Sequence, residues 1–174
     1  MDETKKIKIL RERAKEFQKS EVVYKPIGKI LNVVTFLIGS ELYGVESKYV
    51  TEVLNVNEIV NLPCTPDFVL GIVNIRGNVL SVLDLKQFLI SKPGVVINEL
   101  NNLLLVGNEN IEFCILVDNI AGNIEIDSGL LQEEIASITE IHPRYIMGVT
   151  NERLVILNIE EILSDNTIVI DESV

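Results

Sequence analysis

The most informative stretch of the sequence lies at residues 71–85 and reads Gly71-Ile72-Val73-Asn74-Ile75-Arg76-Gly77-Asn78-Val79-Leu80-Ser81-Val82-Leu83-Asp84-Leu85. Two apolar runs rich in β-branched residues flank the turn-forming triplet at residues 76–78. This pattern predicts a β-hairpin over residues 69–83. A short helical turn is expected to follow at residues 85–90.

The composition of the whole chain favours the same kind of structure. Among the 174 residues are 24 Ile, 21 Val and 21 Leu but only three Ala. Val and Ile suit a pleated surface and lose side-chain freedom in helices, whereas a helix bundle is expected to contain more Ala. The composition therefore predicts a mostly β protein.

The alternation of apolar runs and turn residues continues on both sides of residues 71–85. Further hairpins are predicted over residues 31–45, 102–117 and 145–157, with a strand at 123–126. Val50, Val53 and Leu54 recur at helical spacing, so residues 47–54 are predicted to form a short helix. Residues 129–137 are interpreted as a helix or loop, and residues 159–163 as a closing helical turn.

An internal repeat supports two related halves. Residues 68–74 (FVLGIVN) match residues 145–151 (YIMGVTN) at an offset of 77, and residues 83–89 match residues 157–163 at an offset of 74. Because the offset falls from 77 to 74, the hairpin at 69–83 is three residues longer than the hairpin at 145–157. We expect the extra residues in its turn at 76–78. Gly39, Gly71 and Gly148 are interpreted as structural turn residues. The repeat predicts two five-stranded barrels that share one core.

Charge and periodicity divide the chain into three parts. Residues 1–29 carry a net charge of +4, and residues 30–174 carry −15. Ile7, Leu10, Ala14 and Phe17 share one face of an amphipathic helix predicted at residues 3–20, which is followed by a linker. Residues 30–164 form the predicted folded domain, with a break between its halves near 91–97. Residues 165–174 are predicted to be an acidic tail.

Several classes of function are disfavoured by these features. An acidic body repels phosphate backbones, so nucleic-acid binding is not expected. Apolar runs stay well below the roughly 18–20 residues of a membrane span, so membrane insertion is not expected. Cys64 and Cys114 form no C-x-x-C pair. We expect a cytosolic protein with reduced thiols.

Catalytic chemistry is also not predicted. His142 is the only histidine and lacks the companions of a metal site or catalytic triad. The glycines form neither a dinucleotide-binding nor a phosphate-binding loop. Cys114 lies in an apolar run, which indicates a buried thiol. We therefore expect no catalytic residues, no metal and no cofactor.

Arg76 stands out because it is one of six Lys and Arg residues among residues 30–174. A charged turn residue is commonly just solvated. Alternatively, its planar five-donor group can bind the carboxylate of a partner or order a local turn. The sequence leaves these interpretations open.

Residues 71–85 also resemble the G-[VI]-x-N-[LI]-R-G…[VI]-x-[DN]-[LI] signature of CheW-like chemotaxis coupling proteins. The segments at 36–45 and 50–53, together with 65–68 (TPDF), are similar to the family's opening hairpin, following helix and T-P-x-F segment. Residues 145–148 and 154–163 are similar to its closing strands. The resemblance covers residues 30–164 in order, although Ser81 stands where the family usually has Pro.

The resemblance implies two intertwined five-stranded SH3-like barrels and an adaptor with no catalytic activity. The implied partners are the regulatory domain of the histidine kinase CheA and the helical tip of methyl-accepting chemoreceptors. The implied location is cytoplasmic, at the periphery of receptor arrays. The residues expected to contact the receptor or the kinase lie on the segment after the opening hairpin and around the R-G turn: Val50, Glu52, Val53, Asn74, Arg76 and Gly77.

Two other functions remain open on the sequence alone. The same module can serve another sensory pathway, with the N-terminal helix selecting the partner. The third function is a small-ligand-binding barrel or an enzyme. Its expected sign is a deep polar pocket that contains a perturbed carboxylate or His142. Val50 and Val53 can also be ordinary core residues.

Overall fold

The computed structural model describes residues 27–92, 101–132 and 140–168. The predicted N-terminal helix at 3–20 lies outside the described residues. So do most of the predicted break at 91–97 and most of the segment at 129–137 that was interpreted as helix or loop.

Within these described residues, ten strands form two five-stranded sheets, which confirms the mostly β prediction. The first sheet has the order β8-β1-β2-β10-β9, and we call it the first barrel. Its strands are β1 (Ile30–Ile38), β2 (Glu41–Glu46), β8 (Asn119–Asp127), β9 (Ile146–Val149) and β10 (Val155–Leu157).

The second sheet, which we call the second barrel, has the order β3-β6-β7-β5-β4. Its strands are β3 (Val50–Val56), β4 (Val69–Ile75), β5 (Asn78–Leu83), β6 (Asn101–Gly107) and β7 (Glu112–Val117). Each sheet takes strands from both sides of the predicted break at 91–97. The barrels are therefore intertwined, and neither corresponds to one half of the chain.

One core joins the two barrels. Phe36, Ile38 and Tyr43 from the first barrel belong to the same buried cluster as Leu104 and Ile115 from the second. A separate small cluster fills the first barrel and consists of Leu31, Val33, Leu154 and Ile156. The shared core agrees with the expectation that neither barrel buries enough apolar surface alone.

All four predicted hairpins are confirmed as antiparallel pairs: β1–β2, β4–β5, β6–β7 and β9–β10. The predicted helical turns are α1 (Leu85–Ile90) and α2 (Ile159–Leu163). Asp84 caps α1 by accepting from the backbone N–H of Gln87, and Asn158 caps α2 by accepting from that of Glu161. Asp84 and Asn158 occupy matching positions of the repeat, so the two copies begin their helices in the same way.

The predicted helix at residues 47–54 is wrong. Only Ser47–Tyr49 forms a short 3-10 turn, and β3 starts at Val50. Residues along β3 alternate between half-buried and exposed, as a strand on a barrel surface requires. The spacing of Val50, Val53 and Leu54 imitated a helix because Val53 is an apolar residue on the exposed side of β3. The apolar positions therefore do not follow the alternation of burial along the strand.

The three extra residues of the first repeat do not lengthen the β4–β5 turn. Ile75 pairs directly with Asn78, so this turn contains only Arg76 and Gly77. The β9–β10 turn is longer, because the backbone N–H of Thr150 donates to the carbonyl of Leu154 across three intervening residues. The extra length instead extends the strands, since β4 has seven residues and β9 has four.

Equivalent backbone bridges close both barrels. Val60 and Ile72 exchange two backbone hydrogen bonds of 2.9 and 2.8 Å, and Gln132 and Val149 exchange two of 2.9 and 3.1 Å. Ile72 and Val149 lie 77 positions apart, which is the offset of the sequence repeat. The repeat therefore extends to the way each sheet closes on itself.

The glycine before each bridge allows the close approach. A Cβ on Gly71 would lie 2.3 Å from the carbonyl oxygen of Val60, and a Cβ on Gly148 would lie 2.6 Å from the Cβ of Leu131. Both glycines are within strands, not in turns as interpreted from the sequence, because the requirement is for space at the bridge. Gly39 does lie in the β1–β2 turn, with φ of 62°.

The first residues of the predicted acidic tail pack against the body. Asp165 and Ile168 are buried. The hydroxyl of Tyr145 donates to Asp165 at 2.6 Å, and the guanidinium of Arg144 also donates to this carboxylate. The packed structure thus extends beyond residue 164, because a buried carboxylate and a buried Ile fix the chain after α2.

Candidate docking surface

The exposed edge of the second barrel, where β3 faces the β4–β5 turn, brings together most of the predicted site residues. We call this edge the seam. β3 and β4 are the two outer strands of their sheet, so they are not neighbours in its hydrogen-bonded order. The Nη2 of Arg76 donates to the Oε1 of Glu52 at 2.7 Å across this seam. Two residues that the sequence singled out separately are therefore ion-paired.

The turn that carries Arg76 has an unusual backbone. Arg76 has φ of 53° and Gly77 has φ of 91°. Positive φ at both central residues is typical of a type I′ hairpin turn, which prefers Asn or Gly at the first position. The side chain of Asn74 supports the turn by accepting from the backbone N–H of Gly77 at 2.9 Å. The backbone thus holds Arg76 in a left-handed conformation that directs it out of the hairpin.

The side chains of Glu52 and Val53 lie on opposite faces of β3, because successive strand residues alternate. Val53 is 45% exposed, which excludes it from the core. Val50 is half-buried and packs against the shared core. The helix predicted from the sequence placed Val50, Val53 and Leu54 on one side, whereas the strand leaves Val53 on the exposed side.

Ion pairs within the chain use most of the positive charge of the acidic body. Five of the six Lys and Arg residues at positions 30–168 of the described chain contact a carboxylate: Lys48 with Glu46, Arg76 with Glu52, Lys86 with Glu41, Lys92 with Glu140, and Arg144 with Asp165. Arg76 keeps 75% of its side chain exposed despite its ion pair. Arg76 is therefore bound to a carboxylate of its own chain, while most of its side chain stays accessible.

Two exposed valines near the seam were not predicted as site residues. Val60 is 52% exposed and Val79 is 62% exposed. Val60 forms the closing bridge to β4, and Val79 pairs with Asn74 next to the Arg76 turn. The signal for Val79 was present, because it directly follows the turn. The position of Val60 depends on the bridge, which joins segments that no local pattern connects.

A polar cleft of about 1070 Å³ lies between β2, α1 and the β9–β10 turn. Glu41 and Lys86 line it and form an ion pair at 2.5 Å. Burial opposes ionisation of Glu41, but hydrogen bonds from Lys86 and Tyr43 outweigh it and hold the pKa of this carboxyl below its usual value. Glu41 is thus kept ionised, whereas a general acid or base requires a pKa close to neutrality.

Other groups with possible chemical roles are structurally engaged or isolated. His142 does not line the cleft, and its Nδ1 accepts from the backbone N–H of Arg144 at 3.3 Å. Cys114 is buried, and burial raises the pKa of its thiol to about 12. Cys64 is exposed. Within the described residues, no three His, Cys, Asp or Glu side chains are grouped as metal ligands.

No helix in the described part of the chain combines the length and apolar character needed to cross a membrane.

Comparison with known proteins places these barrels in a family. The model of the CheW-like domain matches residues 32–167. The chain is 30% identical to Chemotaxis protein CheW of Treponema pallidum over 138 residues, which cover 76% of this chain and 81% of the relative. It is 26% identical to Chemotaxis protein CheW of Klebsiella aerogenes over 143 residues, which cover 80% of this chain and 85% of the relative.

A solved structure shows the same architecture. The scaffolding protein TtCheW from Thermoanaerobacter tengcongensis superimposes with a TM-score of 0.63 at 26% identity, covering 76% of this chain and 89% of that chain. The family match includes both barrels and extends to residue 167, beyond the end of α2. From the two intertwined barrels, the seam and these matches, we conclude that the chain belongs to the family of proteins with a CheW-like domain.

Proposed function

We propose that this protein is a non-catalytic chemotaxis adaptor that links chemoreceptors to the histidine kinase CheA, at the periphery of receptor arrays. The observation that carries the proposal is the family match over residues 32–167, which covers both barrels and the seam. It is supported by relatives that carry the name Chemotaxis protein CheW and by a structural neighbour described as a scaffolding protein.

The seam is the proposed contact surface for one of these partners. Its features are an exposed apolar side chain at Val53, an exposed cation at Arg76 and a half-buried carboxylate at Glu52. A helix that docks in a groove is held by apolar anchors, with a few polar groups at the rim that set its position. We propose that the helical tip of a receptor contacts the face of β3 that carries Val53. The Arg76–Glu52 pair, on the other face of β3, lies beside this contact at the edge of the barrel.

The regulatory domain of CheA is the second proposed partner. The resemblance to CheW-like proteins implies that this domain shares the fold of the present chain, so barrels of the two proteins can pack end to end. The chain offers two barrels with equivalent closures, at Val60–Ile72 and at Gln132–Val149. An adaptor function needs two separate surfaces, and two barrels supply them.

The test is capture of purified partners by the full chain. A receptor helical-tip fragment and the CheA regulatory domain are each titrated against the wild type, Val53→Asp and Ile124→Asp. Ile124 lies on β8 of the first barrel and is 43% exposed, so Ile124→Asp is a control for adding the same charge at an equally exposed aliphatic residue.

Val53→Asp is expected to weaken receptor binding by about 1–3 kcal/mol while Ile124→Asp leaves it unchanged. Binding of the regulatory domain is expected for all three proteins. Failure of the wild type to bind either partner would refute the adaptor function. Binding of both partners with an unchanged affinity for Val53→Asp would retain the function and remove the seam from the receptor contact.

A further inference from the structure

A clasp in the first barrel fixes the point where residues 1–26 join the folded body. The backbone N–H groups of Ile27 and Gly28 donate to the two carboxylate oxygens of Asp127, each at 2.7 Å. The backbone N–H of Lys29 donates to the hydroxyl of Ser128 at 2.8 Å. Asp127 is only 5% exposed and also accepts from the backbone N–H of Gly129 at 3.0 Å. Residues separated by about 100 positions are thus tied together.

Two glycines allow the chain to cross at this clasp. A Cβ on Gly28 would lie 2.4 Å from the backbone nitrogen of Gly129, and a Cβ on Gly129 would lie 2.8 Å from the backbone nitrogen of Gly28. Any side chain at either position would force the two segments apart. The crossing therefore requires glycine at both positions. It gives the N-terminal segment a fixed starting point on the body.

Exposed apolar side chains surround the clasp. Ile27 is 75% exposed, Leu130 is 50% exposed and Ile30 is 38% exposed. Ile30 pairs with Asp127 across β1 and β8, so it lies on the same face of the sheet as the clasp. Leu130 follows Gly129, and a Cβ on Gly129 would lie 2.9 Å from the Cβ of Ile27. We call these three residues the clasp patch.

We propose that residues 1–26 of the same chain cover the clasp patch as an intramolecular arm. The sequence pattern gives this segment one apolar stripe, formed by Ile7, Leu10, Ala14 and Phe17. The stripe and the clasp patch each present three large apolar side chains, and burying one against the other removes both from water. The occupant is thus a segment of this chain that joins the body at the patch itself.

Charge favours the same arrangement. Residues 1–29 carry a net charge of +4, and residues 30–174 carry −15. Attraction between the two acts most strongly at short range, because salt screens it beyond about 8–10 Å. An arm held at the clasp stays within this range.

Geometry favours docking within one chain over pairing with a second copy. A helix of 18 residues spans about 27 Å, comparable to the diameter of a domain of this size. The connector at residues 21–26 reaches at most about 20 Å. A tether this short gives an effective concentration of the order of millimolar, which exceeds the concentration of a second chain under ordinary conditions.

The experiment measures the rate at which trypsin cuts the full chain after Lys8, Arg11 and Lys15. These sites lie between residues of the stripe. The wild type is compared with the double variant Ile27→Asp/Leu130→Asp, with Phe17→Asp, and with Val79→Asp as a matched control. Val79 is 62% exposed and lies in the second barrel. Circular dichroism verifies that each variant is folded.

The double variant and Phe17→Asp are each expected to be cut about tenfold faster or more than the wild type, because each removes one side of the contact. Val79→Asp is expected to be cut at the wild-type rate, and wild-type protection is expected to be independent of protein concentration. Equal rates for the wild type and the double variant would overturn the proposal. Protection that disappears on dilution would also overturn it and would assign the clasp patch to a second copy.

Discussion

Arg76 and Glu52 are 24 residues apart in the sequence and join the two outer strands of the second barrel through a 2.7 Å ion pair. The pair lies at the rim of the barrel, not in its core, since 75% of the Arg76 side chain and 28% of the Glu52 side chain are exposed. Solvent screening makes such pairs weak contributors to stability. The larger effect of this pair is to hold the guanidinium of Arg76 in place beside β3.

The first prediction concerns the energy of this pair. Arg76→Ala is expected to lower the free energy of unfolding by about 0.5 kcal/mol or less, and the coupling energy with Glu52→Ala is expected to stay below about 1 kcal/mol. Urea unfolding of the wild type, both single variants and the double variant measures the coupling. Arg76→Asn is the control, because Asn adopts the left-handed backbone readily while lacking the charge.

A coupling energy above about 2 kcal/mol would show that the pair anchors the barrel closure and is not merely a surface contact. With the fold intact, Arg76→Ala is expected to reduce kinase activation in a reconstituted receptor array. Unchanged activation by both Arg76→Ala and Arg76→Asn would remove Arg76 from the signalling surface.

The second prediction separates core from surface along β3. Val50 packs against the shared core, so Val50→Asp is expected to destabilise the protein by about 1–3 kcal/mol. Val53 is 45% exposed, so Val53→Asp is expected to change stability by less than about 0.5 kcal/mol. Thermal unfolding monitored by circular dichroism measures both. Equal destabilisation by the two substitutions would contradict the alternation of buried and exposed residues along this strand.

Local features of the fold could be predicted from the sequence where the signal lies within a few residues. The β4–β5 hairpin follows from two β-branched runs around Arg76-Gly77, and α1 follows from Asp84 before an apolar turn. The repeat offset of 77 also connects Ile72 with Val149, which form equivalent bridges. These features could be predicted from the sequence because neighbouring residues determine turns, caps and strand alternation.

Features that depend on distant contacts could not be predicted in the same way. The exposed Val53 gave β3 an apolar spacing that imitates a helix, and only pairing with β6 distinguishes the two. The Arg76–Glu52 pair requires the second sheet to curl until its outer strands meet. Asp127 gave no local sign that it binds backbone groups about 100 residues away. Each of these contacts joins segments that are distant in the sequence.

The third prediction concerns the glycines at the barrel closures. Gly71 has φ of 147°, and an added Cβ would meet the backbone of Val60, which cannot move without breaking the bridge. Gly71→Ala is therefore expected to cost about 3 kcal/mol or more. At Gly148 an added Cβ would meet the side chain of Leu131, so Gly148→Ala is expected to cost less, about 1–3 kcal/mol.

Gly39→Ala is the matched control for these substitutions. Gly39 also has a positive φ, of 62°, but an added Cβ would have no atom within 4 Å. The expected loss is only about 1 kcal/mol, which reflects the backbone conformation alone. Urea unfolding of the three variants measures the order of their losses in stability. A loss for Gly71→Ala as small as that for Gly39→Ala would show that the Val60–Ile72 bridge is not required for closure.

The last prediction is a pH dependence that originates at Asp165. Burial opposes ionisation of this carboxyl, but hydrogen bonds from Thr167 and Tyr145, together with the charge of Arg144, outweigh it and lower its pKa. Because the pKa is lower in the folded state than in the unfolded chain, the ionised group stabilises the fold at pH values above the unfolded pKa of about 3.9. This contribution is lost as the pH falls through the folded-state pKa.

Asp165→Asn keeps the size of the side chain and removes its ionisation. It is expected to lower the free energy of unfolding by about 1–2 kcal/mol near neutral pH, and the difference from the wild type is expected to shrink as the pH is lowered through the acidic range. Glu152→Gln removes one negative charge from an exposed turn and serves as the control for net charge. A constant difference between wild type and Asp165→Asn across the acidic range would refute the assignment. The stabilities of the wild type and Asp165→Asn are expected to converge at acidic pH, whereas Glu152→Gln is expected to show no such pH-dependent difference from the wild type. This result would establish that the carboxylate of Asp165 fixes the chain after α2 and that the folded domain extends past residue 164.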